Sequence, residues 1–234
     1  MQYVKIKDSI VEQIEAGMLS PRQKLPAERK LAESFDTTRV TLREALSLLE
    51  AEGRIYREDR RGWFISPLPL RYDLTQAPNF SDMAQAQNRV AKTELIAAKG
   101  ILADKVATRL LNLAPFTDVY RVEQVRYLED RPVAYVTKYI RSERFPNLLK
   151  NDLSQPLSDV YRDAFAVSYH KSSFRIATTS LLGEPAQALR ATVGTPAIVV
   201  ERVNYDRHGE LIDCVIESWR HDAISIESWV EKAF

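Results

Sequence analysis

Hydroxyl and guanidinium groups are concentrated in one short stretch, at Thr38, Arg39, Thr41 and Arg43. An arginine guanidinium can make two parallel hydrogen bonds to guanine, a contact that discriminates between bases by about 1–3 kcal/mol. Threonine hydroxyls bond readily to phosphates and base edges. If the stretch opens a helix, these side chains lie near its N-terminus, where a helix in the major groove meets the bases. We therefore expect a DNA-reading surface here.

Three helices and a hairpin are predicted to position this stretch. Apolar residues recur at Leu42, Leu46 and Leu49, which is helical spacing, and Thr38 is a suitable N-cap. After the glycine at 53 the pattern changes to two short extended runs joined by a basic turn. The predicted segments are a helix ending at Gly17, a helix opening at Pro26, a helix from Thr38 to Gly53, and a hairpin of Arg54–Arg57 and Trp63–Ser66.

Basic residues elsewhere in this region extend the predicted surface. Arg29 lies at the start of the preceding helix, and Arg61 and Gly62 lie in the hairpin turn, where glycine allows close approach to a minor groove. We expect the guanidinium groups of Arg39 and Arg43 to be free to enter a groove. An ordinary solvated helix face is the alternative for one helix alone. Three helices, a capped turn and a basic hairpin in this order are more specific.

The whole-chain totals favour a globular protein of two domains. The 234 residues are 45% hydrophobic and 28% charged, with a net charge of +1. No apolar run approaches the roughly 18–20 residues that a membrane helix needs, so we expect a cytoplasmic protein that does not contact membranes. Cys214 is predicted to be a small buried residue. The three histidines are scattered, so we predict no metal site and no cofactor.

From about residue 88 the pattern alternates strands and helices. Hairpins are predicted around Glu129–Pro132 and Asp206–Gly209, and helices over Ile101–Leu113 and Leu157–Phe165. Long antiparallel strands with a few helices predict an α+β fold instead of a parallel nucleotide-binding sheet. Prolines punctuate residues 67–79, where we place an interdomain linker. We therefore predict a DNA-binding domain over residues 1–66 and a second domain over residues 80–234.

Residues 4–66 resemble the DNA-binding domain of the GntR family of bacterial regulators. The matching runs are Lys24–Arg29, Thr38–Leu46, Leu49–Gly53 and Arg61–Phe64. The resemblance implies a winged helix-turn-helix. By the same resemblance, the DNA-contacting positions are Arg29, Arg39 and Arg43, with Thr38, Thr41 and Gly62 in supporting positions.

The remainder resembles the effector-binding domain of the HutC branch of that family, a chorismate-lyase-like fold called UTRA. The matching runs include Val125–Tyr127, Pro132–Ala134, Gly194–Pro196 and Trp219–Asp222. Related regulators bind phosphorylated sugars, amino-acid breakdown products or phosphonates. The resemblance implies that residues 80–234 bind an effector and form the dimer contact.

An anion site needs backbone N–H groups and a fixed cation, which Phe80, Ser81 and Arg126 can supply. Ser158 near a helix start can add a hydroxyl. Asp213 would suit an ammonium group, with a solvated carboxylate at a hairpin edge as the open alternative. The further candidates are Tyr169 as a pocket-lining residue and Trp219 as core or pocket wall.

The family's polar pattern is incomplete in this chain. Gln124 and Val136 stand where many members have arginine and glutamate, which disfavours a polyhydroxylated sugar. The runs Arg60–Phe64 and Tyr72–Gln76 resemble regulators associated with phosphonate use, notably of 2-aminoethylphosphonate. That effector is our first hypothesis, with a phosphosugar or an amino-acid catabolite as the alternative.

These patterns together predict a transcription regulator, in first hypothesis a repressor, that binds double-stranded operator DNA and a small anionic effector. A two-fold homodimer is expected, because two recognition helices match a palindromic operator. A lyase-like enzyme is the more distant alternative. The sequence shows no nucleophile elbow, phosphate-binding glycine loop or metal cluster.

Overall fold

The computed structural model describes residues 1–75 and 79–229. In these ranges the α-helices are α1 (Gln2–Glu15), α2 (Glu28–Ser34), α3 (Arg39–Ala51), α4 (Phe80–Gln85), α5 (Lys105–Leu111), α6 (Leu157–Phe165) and α7 (Gly183–Ala188). The strands are β1 (Ile55–Glu58), β2 (Gly62–Ile65), β3 (Leu70–Tyr72), β4 (Ala91–Leu102), β5 (Asp118–Leu128), β6 (Arg131–Arg141), β7 (Lys171–Ser180), β8 (Pro196–Tyr205), β9 (Leu211–Arg220) and β10 (Ile224–Ile226). Short 3₁₀ turns cover Ser142–Arg144 and Leu148–Lys150.

The chain folds into two compact units. Unit 1 comprises Met1–Tyr72, Ser180–Pro196 and Arg220–Glu227. The described part of unit 2 comprises residues 73–75, 79–179, 197–219 and 228–229. Residues 76–78 of the expected linker and residues 230–234 of the expected second domain lie outside the described residues.

The three N-terminal helices and the first hairpin share one apolar core in unit 1. Leu42, Leu46 and Leu49 of α3 are completely buried in a cluster with Ile6 and Ile10 of α1. Strands β1 and β2 pair antiparallel. This arrangement confirms the predicted winged helix-turn-helix, because the helical and extended periods of the sequence each bury one apolar face.

Helix α3 begins where the sequence predicts, because Thr38 caps it. The backbone of Thr38 is extended, and its Oγ1 accepts a hydrogen bond from the Thr41 amide at 3.2 Å. This bond satisfies one of the amide groups that the first turn of a helix leaves without a partner.

Replacing Thr38 with alanine is expected to lower the free energy of unfolding by about 1 kcal/mol, since the cap is lost. Thr38→Ser keeps the hydroxyl and serves as the matched control. Urea unfolding of the full chain measures both. An alanine variant as stable as the parent, with the serine variant equally unchanged, would show that the cap contributes nothing.

Two segments distant in sequence join the winged helix within unit 1. Strand β3 pairs parallel with β10, with Leu70 opposite Ile224. The Arg220 guanidinium donates to the Arg57 carbonyl at 2.8 Å, and the Asp59 amide donates to the Arg190 carbonyl at 2.8 Å. The prolines of residues 67–79 predict a linker and no strand, so β3 is an addition to the predicted elements.

Unit 2 is built on a six-stranded sheet in the order β4-β5-β6-β9-β8-β7. The pairs β4–β5, β5–β6 and β6–β9 are antiparallel. One face of the sheet packs against α5 and contains Cys214, which is fully buried, as predicted. The opposite face packs against α6, whose predicted bounds Leu157–Phe165 match the structure. The predicted α+β fold is confirmed.

The prediction of a helix over Ile101–Leu113 is wrong at both ends. Strand β4 continues through Leu102, paired with Asp118 of β5. Helix α5 begins only after Asp104, whose carboxylate accepts hydrogen bonds from the amides of Val106 and Ala107. Pairing with β5 decides the conformation of 101–102, and the aspartate cap decides where the helix starts.

Candidate functional sites

The first candidate site is the outer side of α3. Arg39 is exposed at the first residue of the helix, and Arg43 is exposed one turn later. The hydroxyls of Thr38 and Thr41 lie 3.0 Å apart at the same end. The structure therefore brings all four sequence-predicted polar residues together at the N-terminal half of α3, with Leu42, Leu46 and Leu49 on the other side.

Arg43 differs from the sequence expectation of a free guanidinium group. Its Nε donates to Glu28 Oε2 at 2.8 Å, and Trp63 Nε1 donates to Glu28 Oε1 at 3.2 Å. Partial burial would raise the pKa of Glu28, but the bonds from Arg43 and Trp63 hold it below its usual value. The Arg43 side chain is still 65% exposed. Such surface pairs contribute about 0–1 kcal/mol, so Arg43 can exchange Glu28 for DNA at little cost.

The turn of the β1–β2 hairpin carries further arginines. Gly62 has a φ of +98°, a conformation that suits glycine, so the predicted need for glycine at this turn is met. Arg61 donates to the buried carboxylate of Glu58 and is therefore held by its own hairpin. The Arg60 side chain is 93% exposed and lies at the turn itself.

Arg29 is exposed at the start of α2, 3.9 Å from Glu33.

The second candidate site is a buried polar cluster on the α6-covered face of the unit 2 sheet. Arg126 Nη1 donates to Glu217 Oε1 at 2.9 Å, and Trp219 Nε1 donates to Glu217 Oε2 at 2.9 Å. The guanidinium carbon of Arg126 lies 5.1 Å from the ring centre of Phe80 and 5.7 Å from that of Trp219. Phe80, Arg126 and Trp219 are thus brought together in the structure.

Glu217 was not predicted from the sequence as a site residue. Burial would raise its pKa, but the guanidinium groups of Arg126 and Arg202 lower it overall, which favours the ionised carboxylate. One sequence pattern could have indicated it. Asp213, Glu217 and Trp219 are at alternate positions of one strand, so their side chains face the same side of the sheet.

Asp213 is completely buried, so the alternative of a solvated carboxylate at a hairpin edge is wrong. Its oxygens accept from Asn204 Nδ2 at 2.6 Å, Tyr161 Oη at 3.0 Å and Tyr169 Oη at 2.6 Å. Burial, reinforced by the Asp213 charge, raises the pKa of both tyrosines, which therefore stay protonated donors. Tyr161 and Asn204 were not predicted as site residues.

The two predicted serines are not brought into this network. Ser81 is exposed on α4, and Ser158 is half-buried at the second residue of α6. In the ranges that the structure describes, no hydrogen bond joins either hydroxyl to Arg126 or Asp213. The reason for Ser158 is helical geometry, because α6 turns its Leu157, Val160 and Tyr161 side to the sheet.

Within residues 1–75 and 79–229, no group of three or more histidine, cysteine, aspartate or glutamate side chains is placed to bind a metal ion. None of the helices described is both long and apolar enough to cross a membrane.

Two ranges of the chain match known families. Residues 2–65 match the bacterial regulatory proteins of the gntR family, and residues 86–225 match the UTRA domain. The chain is 29% identical over 223 residues to the uncharacterized HTH-type transcriptional regulator YihL of Escherichia coli K12, with 94% of each chain covered. It is 24% identical over 230 residues to the HTH-type transcriptional repressor NagR of Bacillus subtilis, covering 98% of this chain and 95% of NagR.

A solved structure shows the same fold. The crystal structure of PhnF from Mycobacterium smegmatis matches 97% of this chain and 100% of PhnF with a TM-score of 0.68 and 23% identity. The order of a gntR-type winged helix followed by a UTRA domain is thus supported by sequence and by fold. The chain belongs to the GntR family of bacterial transcription regulators, in its HutC-like group with a UTRA domain.

Proposed function

We propose that this regulator is a repressor that binds double-stranded operator DNA through α3 and the β1–β2 hairpin, and that a small anionic effector bound in unit 2 controls this binding. The observation that carries the proposal is the buried cluster around Arg126, a charged site that a core alone does not need. Two relatives support the repressor assignment: NagR, and the probable fructoselysine utilization operon transcriptional repressor of Escherichia coli K12, 22% identical over 210 residues.

The proposed effector carries an anionic group at one end and an ammonium at the other, as 2-aminoethylphosphonate does. A guanidinium has five N–H donors, so Arg126 can hold Glu217 and an anionic oxygen together. A carboxylate offers about four acceptor positions, and Asp213 uses three of them. One position is left for an ammonium. The resemblance of Arg60–Phe64 to regulators of phosphonate use supports the same ligand.

A phosphosugar or an amino-acid catabolite is the alternative effector. The Gln124 amide, which lies on the same sheet face, already donates to the Leu153 carbonyl at 2.9 Å. Val136, between Gln124 and Glu217 in the strand register, brings no polar group. The described cluster therefore has few groups for sugar hydroxyls, which favours the smaller ligand.

We propose residues 1–66 as the DNA-binding part and residues 80–234 as the effector-binding and dimerisation part. We also propose a two-fold homodimer in solution, because a palindromic operator is read by two recognition helices related by a two-fold axis.

The test measures ligand binding and operator binding on the same full-length protein. A thermal-shift screen compares phosphonates, phosphosugars and carboxylates, and a ligand at a hundredfold excess over its Kd should stabilise the fold by about 2.7 kcal/mol. Fluorescence anisotropy then measures affinity for an operator selected from random DNA. We expect 2-aminoethylphosphonate to raise the melting temperature and to change operator affinity. Stabilisation without any effect on DNA, or turnover of the ligand, would contradict the proposal.

A further inference from the structure

Lys138 lies in the middle of the buried polar face of unit 2. On β6 it is paired with Val215 of β9. Asp213 and Glu217 lie two residues before and two residues after Val215, so their side chains are on the same face of the sheet as that of Lys138. On β5 its partner is Val122. Only 8% of Lys138 is exposed. The register therefore fixes its amine among the charged groups of the proposed effector site.

The nearby carboxylates are already engaged by other residues. Glu217 accepts from Arg126 and Trp219, and Asp213 accepts from Asn204 and two tyrosines. Across the residues that the structure describes, no hydrogen bond or ion pair is made by Lys138 Nζ. A buried ammonium without a partner is costly. Burial, together with the Arg126 charge, lowers the pKa of Lys138 to about 7.

The groups that face Lys138 leave its charge uncompensated. The charged groups are Arg126 of β5, Arg202 of β8, and Asp213 and Glu217 of β9, while the Tyr161 and Tyr169 hydroxyls that donate to Asp213 are neutral. The two guanidinium groups balance the two carboxylates. A proton on Lys138 therefore adds a single positive charge that nothing in this set neutralises, and an anion bound beside the amine would neutralise it.

We propose that Lys138 holds the anionic end of the effector and takes up a proton as the anion binds, which makes the regulator's response depend on pH. This inference rests on the proposed function, because it assigns a residue and a regulation to the same site. Its sign follows from linkage: a group that is protonated in the complex and partly neutral in the free protein makes binding weaker as the pH rises.

The experiment measures the affinity of the full-length protein for sulfate, inorganic phosphate and 2-aminoethylphosphonate. Sulfate keeps its charge throughout the range, so any pH dependence of sulfate binding belongs to the protein. From about pH 6.5 to about pH 8.5 we expect the affinity for sulfate to fall about 20-fold, because the free amine loses its proton near pH 7.

Three variants separate Lys138 from other causes. Lys138→Arg keeps its charge at both pH values, so it should bind sulfate with no pH dependence. Lys138→Met should bind sulfate weakly at both pH values. It should fold, because it replaces a buried amine with an apolar side chain. Lys99→Met removes an exposed lysine of β4 and should behave as the parent.

The outcomes distinguish the two proposals. The role of Lys138 is overturned if the parent binds sulfate without pH dependence, or if Lys138→Met binds sulfate with the same pH dependence as the parent. Either result leaves the proposed effector site standing. If none of the three anions binds the parent at the lower pH, both the role of Lys138 and the anionic effector are wrong. Operator binding is measured with the same preparations as a control, and we expect each variant to bind the operator as the parent does.

Discussion

Replacing Arg126 with alanine is expected to abolish the response to an anionic effector while operator binding is retained. Arg126 is 7% exposed and supplies the guanidinium group between Phe80, Trp219 and Glu217. Without it the anion loses the guanidinium donor of the proposed site. Anisotropy of a labelled operator, titrated with 2-aminoethylphosphonate, measures the response. A variant that responds at the parent's effector concentration would remove Arg126 from the site.

The same substitution has a cost in stability that needs its own control. Breaking a buried ion pair from one side typically costs about 3–5 kcal/mol, because the remaining carboxylate of Glu217 stays buried and charged. The double variant Arg126→Met with Glu217→Gln removes both charges and keeps similar volumes. We expect it to be more stable than Arg126→Ala and equally unresponsive. Recovery of the response in the double variant would show that Arg126→Ala acts only by unfolding unit 2.

Replacing Arg43 with alanine is expected to weaken operator binding by about 1–3 kcal/mol and to relax the preference at one base pair. The exposed guanidinium group on α3 is placed for a base contact, and a lost contact of that kind affects one position of the operator. Competition binding against operators mutated one base pair at a time measures it. Unchanged affinity together with unchanged base preference would contradict the assignment of α3.

The pair between Arg43 and Glu28 provides the control for that experiment. Glu28→Gln leaves the Arg43 side chain in place and removes the carboxylate that holds it. We expect operator affinity to be unchanged or tighter by up to about 1 kcal/mol, the range of exposed ion pairs. If Glu28→Gln instead weakens binding as much as Arg43→Ala does, the pair positions the helix and Arg43 makes no base contact.

The elements with strong local signals could be predicted from sequence alone. The leucines of α3 recur at helical spacing and Thr38 is a good cap, so both ends of that helix follow from nearby residues. The error at 101–102 has the opposite cause. Those residues are apolar, but their pairing with β5 is a long-range contact that local spacing does not encode.

The candidate effector site could be predicted only in part, for a similar reason. Arg126 was singled out by its resemblance to a family position, but its partner Glu217 lies 91 residues away. Their meeting depends on the register of β5, β6 and β9. Likewise, Lys138 looks like an ordinary polar position of an alternating strand until β9 is set beside it. The pairing of β3 with β10 joins residues 154 positions apart in the chain, so no local pattern indicates it.

The carboxylates that hold the arginines of unit 1 have a consequence for how the protein searches a chromosome. An arginine that leaves Glu28 or Glu58 for a phosphate replaces one anionic partner with another. Each such contact therefore adds less binding free energy than a contact made by an unpaired arginine. Attachment to random sequence is therefore expected to be weaker than it would be with unpaired arginines, by up to about 1 kcal/mol for each pair. We expect the protein to leave non-operator sites faster than operator sites, where base contacts add to the phosphate contacts.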